Sequence, residues 1–475
     1  MQTLPKQPLC VDLDGSLTLV DTLHEGLVGL ARNEPASLLQ IPGWLQRGKA
    51  GFKQEVALRA PVDAAALPFN MPLLNWLRVE KSAGRTLVLA TASDRSTAEA
   101  VNAQLGLLFD ECVASDGRDN LSGERKRLAL VARFGEKGYD YVGNAQADLA
   151  VWRSARKAIV VGDPDLVAQA EAVASVERVF APTRSGMKTW LRAMRLHQWV
   201  KNLLIFVPPM LAHQFTDAGV MLQAVLAFVA FGLCASSVYL FNDLLDLGSD
   251  RRHPRKRTRP FASGELQARD GVLVGLLLLT LSIILALSIN PYFALVLATY
   301  YSVTWAYSLR LKRIALIDVM VLAGLYTLRI IAGSAACMIW PSFWLLGFSV
   351  FLFLSLGIVK RFAELEDARQ AGKAGAHGRG YGAADLSLLQ SLGTAAGYSS
   401  VVVMALYVNS AASADLYTHP KALWLLCPIM LFWISRVWLY TARGLMHDDP
   451  IVFALKDRTS LILAALMGLG VILAL

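Results

Sequence analysis

Two places in this chain bring carboxylates together at spacings that do chemistry. Near the N-terminus the run Val11-Asp12-Leu13-Asp14-Gly15-Ser16-Leu17 sets two aspartates two residues apart, with a glycine directly behind them that lets the chain turn. Such a pair suits a nucleophilic carboxylate, a neighbouring acid/base carboxylate and a magnesium ion held between them. Further on, Asn242-Asp243-Leu244-Leu245-Asp246-Leu247-Gly248-Ser249-Asp250 spaces three aspartates at intervals of three and four. On a helix turning about 100° per residue, that spacing predicts one acidic face. Carboxylates in or beside hydrocarbon cost about 2.5 to 3.5 kcal/mol each, and like charges on one stripe repel. A divalent cation removes both difficulties, and magnesium commonly grips a diphosphate through only a few protein carboxylates. The basic run Arg251-Arg252-His253-Pro254-Arg255-Lys256-Arg257-Thr258-Arg259 follows at once, placed to hold the remaining phosphate charge.

The elements that position these groups differ between the two ends of the chain. Around the first pair, Val-, Leu- and Ala-rich runs at 8–13, 86–91, 139–143 and 157–162 alternate with segments long enough for helices. This predicts an α/β domain with a mostly parallel sheet, whose ligands bind beyond the carboxyl ends of the strands. Residues 1–183 are expected to form this domain, with residues 20–80 as a helical cap, and residues 184–475 a second one. In the second, apolar runs read as spans near 203–213, 220–241, 271–289, 292–309, 315–338, 342–359, 387–408, 422–441 and 460–475, about nine transmembrane helices. Pro208-Pro209 interrupts the first of them.

Over 475 residues, 55% are hydrophobic, which excludes an ordinary soluble protein, and the net charge is +9. Placement explains the charge. With the first domain on the inside, the loops on that side carry eighteen Lys and Arg and the opposite loops only Lys421, which is the positive-inside pattern. A bacterial-type inner membrane with a cytoplasmic N-terminal domain and cytoplasmic active sites is the expectation, and the start Met-Gln-Thr-Leu-Pro-Lys-Gln-Pro has no apolar signal-peptide core. No recognition motif accompanies the basic excess, so no nucleic-acid partner is expected. Five scattered cysteines among apolar neighbours read as reduced packing residues. The stretch 365–385, with Gly372, Gly375, Gly378, Gly380 and Gly382, reads as a flap or a connector.

The first motif resembles that of the haloacid dehalogenase superfamily of phosphatases and phosphotransferases. Leu87-Val88-Leu89-Ala90-Thr91 is similar to its second motif, and Gly123-Glu124-Arg125-Lys126 holds a lysine where the family places one. The resemblance implies a Rossmann-like fold, with the Thr91 hydroxyl on the transferring phosphoryl group and Lys126 neutralising charge. The fourth motif departs: Gly143-Asn144-Ala145-Gln146-Ala147-Asp148 has asparagine where the family has aspartate. The implied magnesium ligands are Asp12, the Asp14 carbonyl, Asp148 and, as a neutral oxygen, Asn144, a weakened site.

The stripe at 242–250 with His253-Pro254 and Arg259-Pro260, together with Tyr307-Ser308-x-x-Leu311-Lys312-Arg313 leading to Asp318, resembles the UbiA-type membrane transferases. That implies magnesium at Asp243, Asp246 and Asp250, with Asn242, Tyr307, Lys312 and Asp318 at the substrate. Prenyl-diphosphate users in this superfamily usually carry a second aspartate-rich stripe, and Asp318 stands here alone. Other segments look like the decaprenyl-phosphate phosphoribosyltransferase branch: Arg195 to Asn202, Leu328-Arg329, Lys360-Arg361-Phe362-Ala363-Glu364, and Asp449-Pro450 through Asp457-Arg458. This implies phosphoribosyl pyrophosphate as donor and a polyprenyl phosphate as acceptor. Lys201, Asn202, Lys256, Arg259, Lys312, Arg329, Lys360 and Arg361 are then candidates for the substrate phosphates. The alternative is a prenyl chain passed from a prenyl diphosphate to an aromatic or other acceptor. A transporter or lipid-binding scaffold is a further reading. The product of phosphoribosyl transfer would keep a 5-phosphate, which is work for the N-terminal domain.

Overall fold

The computed structural model describes residues 7–181, 186–370, 372, 380–446 and 449–475. The expected domain boundary at 183/184 and residues 371 and 373–379 of the expected flap lie outside them. Two compact units emerge: Met1–Met194 with Tyr239–Leu276, and Arg195–Val238 with Leu277–Leu475.

In the first unit a six-stranded, all-parallel sheet runs in the order β3-β2-β1-β4-β5-β6. Its strands are β1 (Leu9–Val11), β2 (Leu87–Asp94), β3 (Glu111–Ser115), β4 (Asp140–Gly143), β5 (Lys157–Val161) and β6 (Ser175–Phe180). The central strands are buried on both faces, as their continuous apolar runs require. The sequence reading found only four strands. The missed β3 and β6 lie at the two edges, where the half-exposed Glu111 and the exposed Glu177 and Arg178 break the apolar pattern. Between β1 and β2, helices Thr22–Asn33, Ile41–Gln46 and Gly48–Arg59 form the cap segment, closed around Leu30, Trp44 and Val56. Strand order reverses beside β1, so the crevice beyond its carboxyl end is where a doubly wound sheet binds ligands.

The helical part corrects the expectation of nine spans. Among the described residues six helices are long and apolar enough to cross a membrane: Ala218–Leu245, Ala268–Ile289, Ile317–Ala336, Phe343–Gln370, Ala383–Val408 and Pro420–Ala442. Pro450–Lys456 and Arg458–Ala474, bent by 81°, make a seventh if taken as one. The expected first span is instead a 3-10 stretch, Leu196–Phe206, running into the five-residue helix Val207–Leu211, because Pro208 and Pro209 are tolerated only at a helix start. Helix Pro291–Leu309 forms, but its Tyr, Ser, Thr and Trp residues make it less apolar than the six.

Small residues let these helices approach closely. A Cβ on Gly393 would lie 2.1 Å from the Trp438 ring, and Ser355 bridges the same place, donating to the Gly393 carbonyl at 2.6 Å and accepting from the Trp438 indole at 3.1 Å. A Cβ on Gly333 would lie 2.0 Å from the Ile205 carbonyl. That absence of a side chain lays the 196–206 stretch directly against helix Ile317–Ala336.

Candidate functional sites

At the end of β1 the chain turns at Gly15, whose φ of 74° disfavours a side chain and whose Cβ would sit 2.2 Å from the Asn144 amide nitrogen. The turn presents Asp12 and Asp14 at the crevice. Lys126, reaching from helix Glu124–Phe134, donates to Asp12 at 2.7 Å and to the Tyr141 hydroxyl at 2.8 Å. Asp14 accepts from the Thr22 amide and hydroxyl, both at 2.8 Å, and from the Ser93 hydroxyl. Burial pushes the Asp12 carboxyl up, with Lys126 opposing it, and burial likewise raises Asp14. Lys126 is held above its ordinary value, its burial outweighed by Asp12 and Asp148. Thr91, fully buried in β2, accepts from the Ser93 amide at 3.0 Å.

Asp148 takes a different place from the one expected of a metal ligand. One oxygen accepts from Tyr141 at 2.9 Å, and the other from the amides of Asn144 and Ala145 at 2.9 and 3.0 Å, so it braces the loop after β4. Asn144 accepts from Ser16 at 3.1 Å. With the Asp14 carboxylate held by Thr22 and Ser93 and Asp148 by its own loop, the side-chain oxygens left for a metal are those of Asp12 and the neutral Asn144, a set that, with the Asp14 carbonyl, fits magnesium only with substrate phosphate completing its shell. Tyr141, Thr22 and Ser93 were not found from sequence, since no local spacing links them to the aspartates. Nor was Lys53, which reaches from the cap to donate to the Ala92 carbonyl at 2.6 Å. Burial lowers its pKa, opposed by Asp14 and Asp21.

The acidic stripe is corrected in one respect. Helix Ala218–Leu245 loosens at Asp246 before helix Leu247–Arg252 resumes, and only two of the three carboxylates converge. Asp243 and Asp250, seven residues apart, are both buried and both accept from one Arg259 nitrogen, at 3.0 and 2.7 Å. Asp246 is 38% exposed and lies 3.9 Å from Arg32 of the cap segment. The second oxygen of Asp250 is buried with no hydrogen-bond partner among the described residues. A buried carboxylate oxygen left so is costly, and with Asp243 it fits a cation that takes two carboxylates and leaves its other positions to water and phosphate. No group of three His, Cys, Asp or Glu poised for a metal occurs among the described residues. Asn242 directly precedes Asp243 on helix Ala218–Leu245, and Lys256 is exposed in the 3-10 turn Lys256–Thr258.

The second unit gathers the remaining candidates into three groups. Arg329 donates to Asn202 at 3.0 Å, to the Leu325 carbonyl at 2.6 Å and to the Tyr300 hydroxyl at 3.2 Å, and Phe231, Tyr300 and Tyr326 surround its guanidinium at 5.0 to 5.6 Å. No carboxylate pairs with it among the described residues, and the Asn202 amide nitrogen is buried without a partner there. A desolvated cation beside an unmet donor is complementary to an anion. Lys201 and Lys360 meet on Asp449, at 2.8 and 3.2 Å. Arg361 and Asp318, both buried, pair with each other; Tyr381 donates to the other Asp318 oxygen at 2.6 Å, and Tyr307 accepts from Arg361 at 3.0 Å. Both Asp318 oxygens are thus engaged by protein groups. Lys312 lies in the 3-10 turn Leu311–Arg313.

Burial alone would raise Asp449, but Lys201 and Lys360 more than offset it and hold the carboxyl at about 2. A folded-state pKa below the unfolded one gives stability that is present above the unfolded value near 4 and is lost as pH falls through the folded one. Between pH 5 and pH 2, thermal melts in detergent should therefore show wild type losing about 2 kcal/mol more than Asp449→Asn. Parallel losses in the two proteins would count against the pairing.

A parallel α/β region followed by apolar helices bearing buried charge defines an integral membrane protein. A family model described as the UbiA prenyltransferase family matches residues 204–456, and the chain belongs to that family. It is 32% identical to the decaprenyl-phosphate phosphoribosyltransferase of Mycolicibacterium smegmatis over 291 residues, 59% of this chain and 91% of the relative. It is 35% identical to the nodulation protein NoeC of Azorhizobium caulinodans over 289 residues, 60% of this chain and 92% of the relative. Similarity to the uncharacterized protein y4nM of Sinorhizobium fredii runs through both parts: 40% identity over 474 residues, 99% of this chain and 91% of the relative.

Proposed function

We propose that residues 184–475 transfer a phosphoribosyl group from phosphoribosyl pyrophosphate to a polyprenyl phosphate. We further propose that residues 1–183, a haloacid dehalogenase-type phosphatase, remove the 5-phosphate from the lipid product. The observation that carries the transferase reading is the buried, unpartnered Asp250 oxygen beside Asp243. A relative named decaprenyl-phosphate phosphoribosyltransferase supports the choice of donor. So does Asp318: with both oxygens taken by Arg361 and Tyr381, it is ill placed to hold the second metal expected of a prenyl-diphosphate enzyme.

Asp243 and Asp250 would hold magnesium, which when bound supplies charge neutralisation on the pyrophosphate leaving group. Arg259 keeps the two carboxylates together and offers its remaining donors to phosphate. Arg329 and Asn202 bind a further phosphate within the helices. A lipid phosphate oxygen bonds to the anomeric carbon as the bond to pyrophosphate breaks, so no protein nucleophile is needed; positioning and exclusion of water are the protein's part. In the α/β domain Asp12 attacks the 5-phosphate, Asp14, raised by burial, protonates the departing alkoxide, and water then releases phosphate from the aspartyl group with Asp14 as base. Asp12 and Asn144, with the substrate phosphate, would hold the magnesium of this site. The positive-inside charge distribution supports both centres lying on the cytoplasmic side of a bacterial inner membrane.

Mass spectrometry of the lipid made from labelled phosphoribosyl pyrophosphate and polyprenyl phosphate tests the whole reading. The expected product is the polyprenyl phosphate carrying an unphosphorylated, labelled ribose. Consumption of prenyl diphosphates with no labelled lipid would overturn it.

A further inference from the structure

The catalytic turn of the first unit has two sides, and they differ in room. On the cap side, the space lined by Thr22, Lys53 and Ser93 is only about 10 Å³, enough for one water at most. Lys53 latches this side through its bond to the Ala92 carbonyl. On the other side, Gly15 and Asn144 open onto a cleft of about 530 Å³, within the range of small-molecule sites. One wall is the loop after β5 and helix Pro164–Glu171, with Asp163, Asp165 and Gln169. The facing wall comes from the segment that links two of the apolar helices. There Gly264, at φ +78°, packs so closely that a Cβ would lie 2.8 Å from Leu19, and Gln267 donates to the Leu19 carbonyl at 2.7 Å.

The lining has a definite chemistry. Asn144, Gln146, Gln169 and Gln267 are neutral amides, each both donor and acceptor, which is what a row of hydroxyl groups needs. The charged side chains in it are Asp163 and Asp165, and no Lys or Arg lines it among the described residues. A ligand with hydroxyls is matched there, and one bringing a further multiply charged anion is repelled.

We propose that this cleft holds the polyhydroxylated part of a sugar monophosphate whose phosphate reaches Asp12 past Gly15, and that Asp163 and Asp165 turn away a sugar that also carries a pyrophosphate. The proposal rests on the phosphatase reading of Asp12. It gives that site a needed selectivity: a phosphatase on the same chain as a transferase fed by a sugar pyrophosphate must spare the donor and act on the product.

The test uses the full-length protein in nanodiscs with magnesium, and phosphate release from ribose 5-phosphate, phosphoribosyl pyrophosphate and p-nitrophenyl phosphate, which has no sugar hydroxyls. Wild type should prefer ribose 5-phosphate to phosphoribosyl pyrophosphate by about tenfold or more in kcat/KM. Asp165→Lys, at an exposed position, should shrink that preference about fivefold. Gln169→Ala, also exposed, and Gln267→Ala should each raise KM for ribose 5-phosphate about fivefold relative to p-nitrophenyl phosphate. A preference unmoved by Asp165→Lys, with KM unmoved in both glutamine variants, overturns the cleft assignment while Asp12-dependent turnover of p-nitrophenyl phosphate leaves the phosphatase reading standing. Absence of any turnover sensitive to Asp12→Asn overturns both.

Discussion

Replacing Asp250 by Asn should lower transfer from phosphoribosyl pyrophosphate on the order of 10³-fold. The change is isosteric and removes one charge from a pair already close enough to share a single Arg259 nitrogen. It also puts an amide where the buried, unpartnered oxygen now stands, so the site loses the group best placed to take a cation. Burial already pushes the Asp250 carboxyl up against the pull of Arg259, so ionising it costs folding free energy. The variant should therefore melt no lower than wild type, which separates lost catalysis from lost fold. The magnesium needed for half-maximal rate should rise at the same time. Asp246→Asn is the contrast: its side chain is half exposed and lies toward Arg32, and a loss under about fivefold is expected. Equal losses at 246 and 250 would mean that all three aspartates act as one face after all.

Asp12→Asn should reduce phosphate release on the order of 10⁴-fold, because no other carboxylate at the turn can take its place as nucleophile. Asp14 is held by Thr22 and Ser93. Asp148 is bound into its own loop by Tyr141 and two amides. With labelled phosphoribosyl pyrophosphate the lipid product of the variant should retain its 5-phosphate, shifting its mass by one phosphate group while labelled lipid still forms. Lys126 loses its closest partner but keeps Tyr141 and, at 3.9 Å, Asp148, so the α/β fold should survive. Phosphate release equal to wild type, or loss of labelled lipid altogether, would remove the division of labour between the two parts.

Much of this arrangement was legible in the residues themselves. Asp12-x-Asp14-Gly15 could be placed at the end of a buried strand because the apolar run before it and the glycine after it are local signals. The failures share a cause. β3 and β6 are edge strands with exposed charges, so periodicity is blurred there. The segment 203–213 is apolar enough for a membrane, yet two prolines divert its backbone, and the glycine at 333, far along the chain, decides where it lies. Arg329 could be singled out as a charge inside an apolar run, but its aromatic surroundings at 231, 300 and 326 come from three separate helices.

What the amino-acid order determined alone is the chemistry available: carboxylates at two and three-to-four residue intervals, a basic run beside one of them, and apolar lengths that demand a bilayer. These depend on near neighbours, whose separation is set by backbone geometry. Tertiary structure decided which of those groups meet. It joined Asp243 to Asp250 through Arg259 and left Asp246 aside, withdrew Asp318 into a pair with Arg361, and set Lys201 and Lys360 on Asp449. Pairings between groups tens or hundreds of residues apart are selected by the cost of burying charge without a partner, and that cost exists only once the chain has packed.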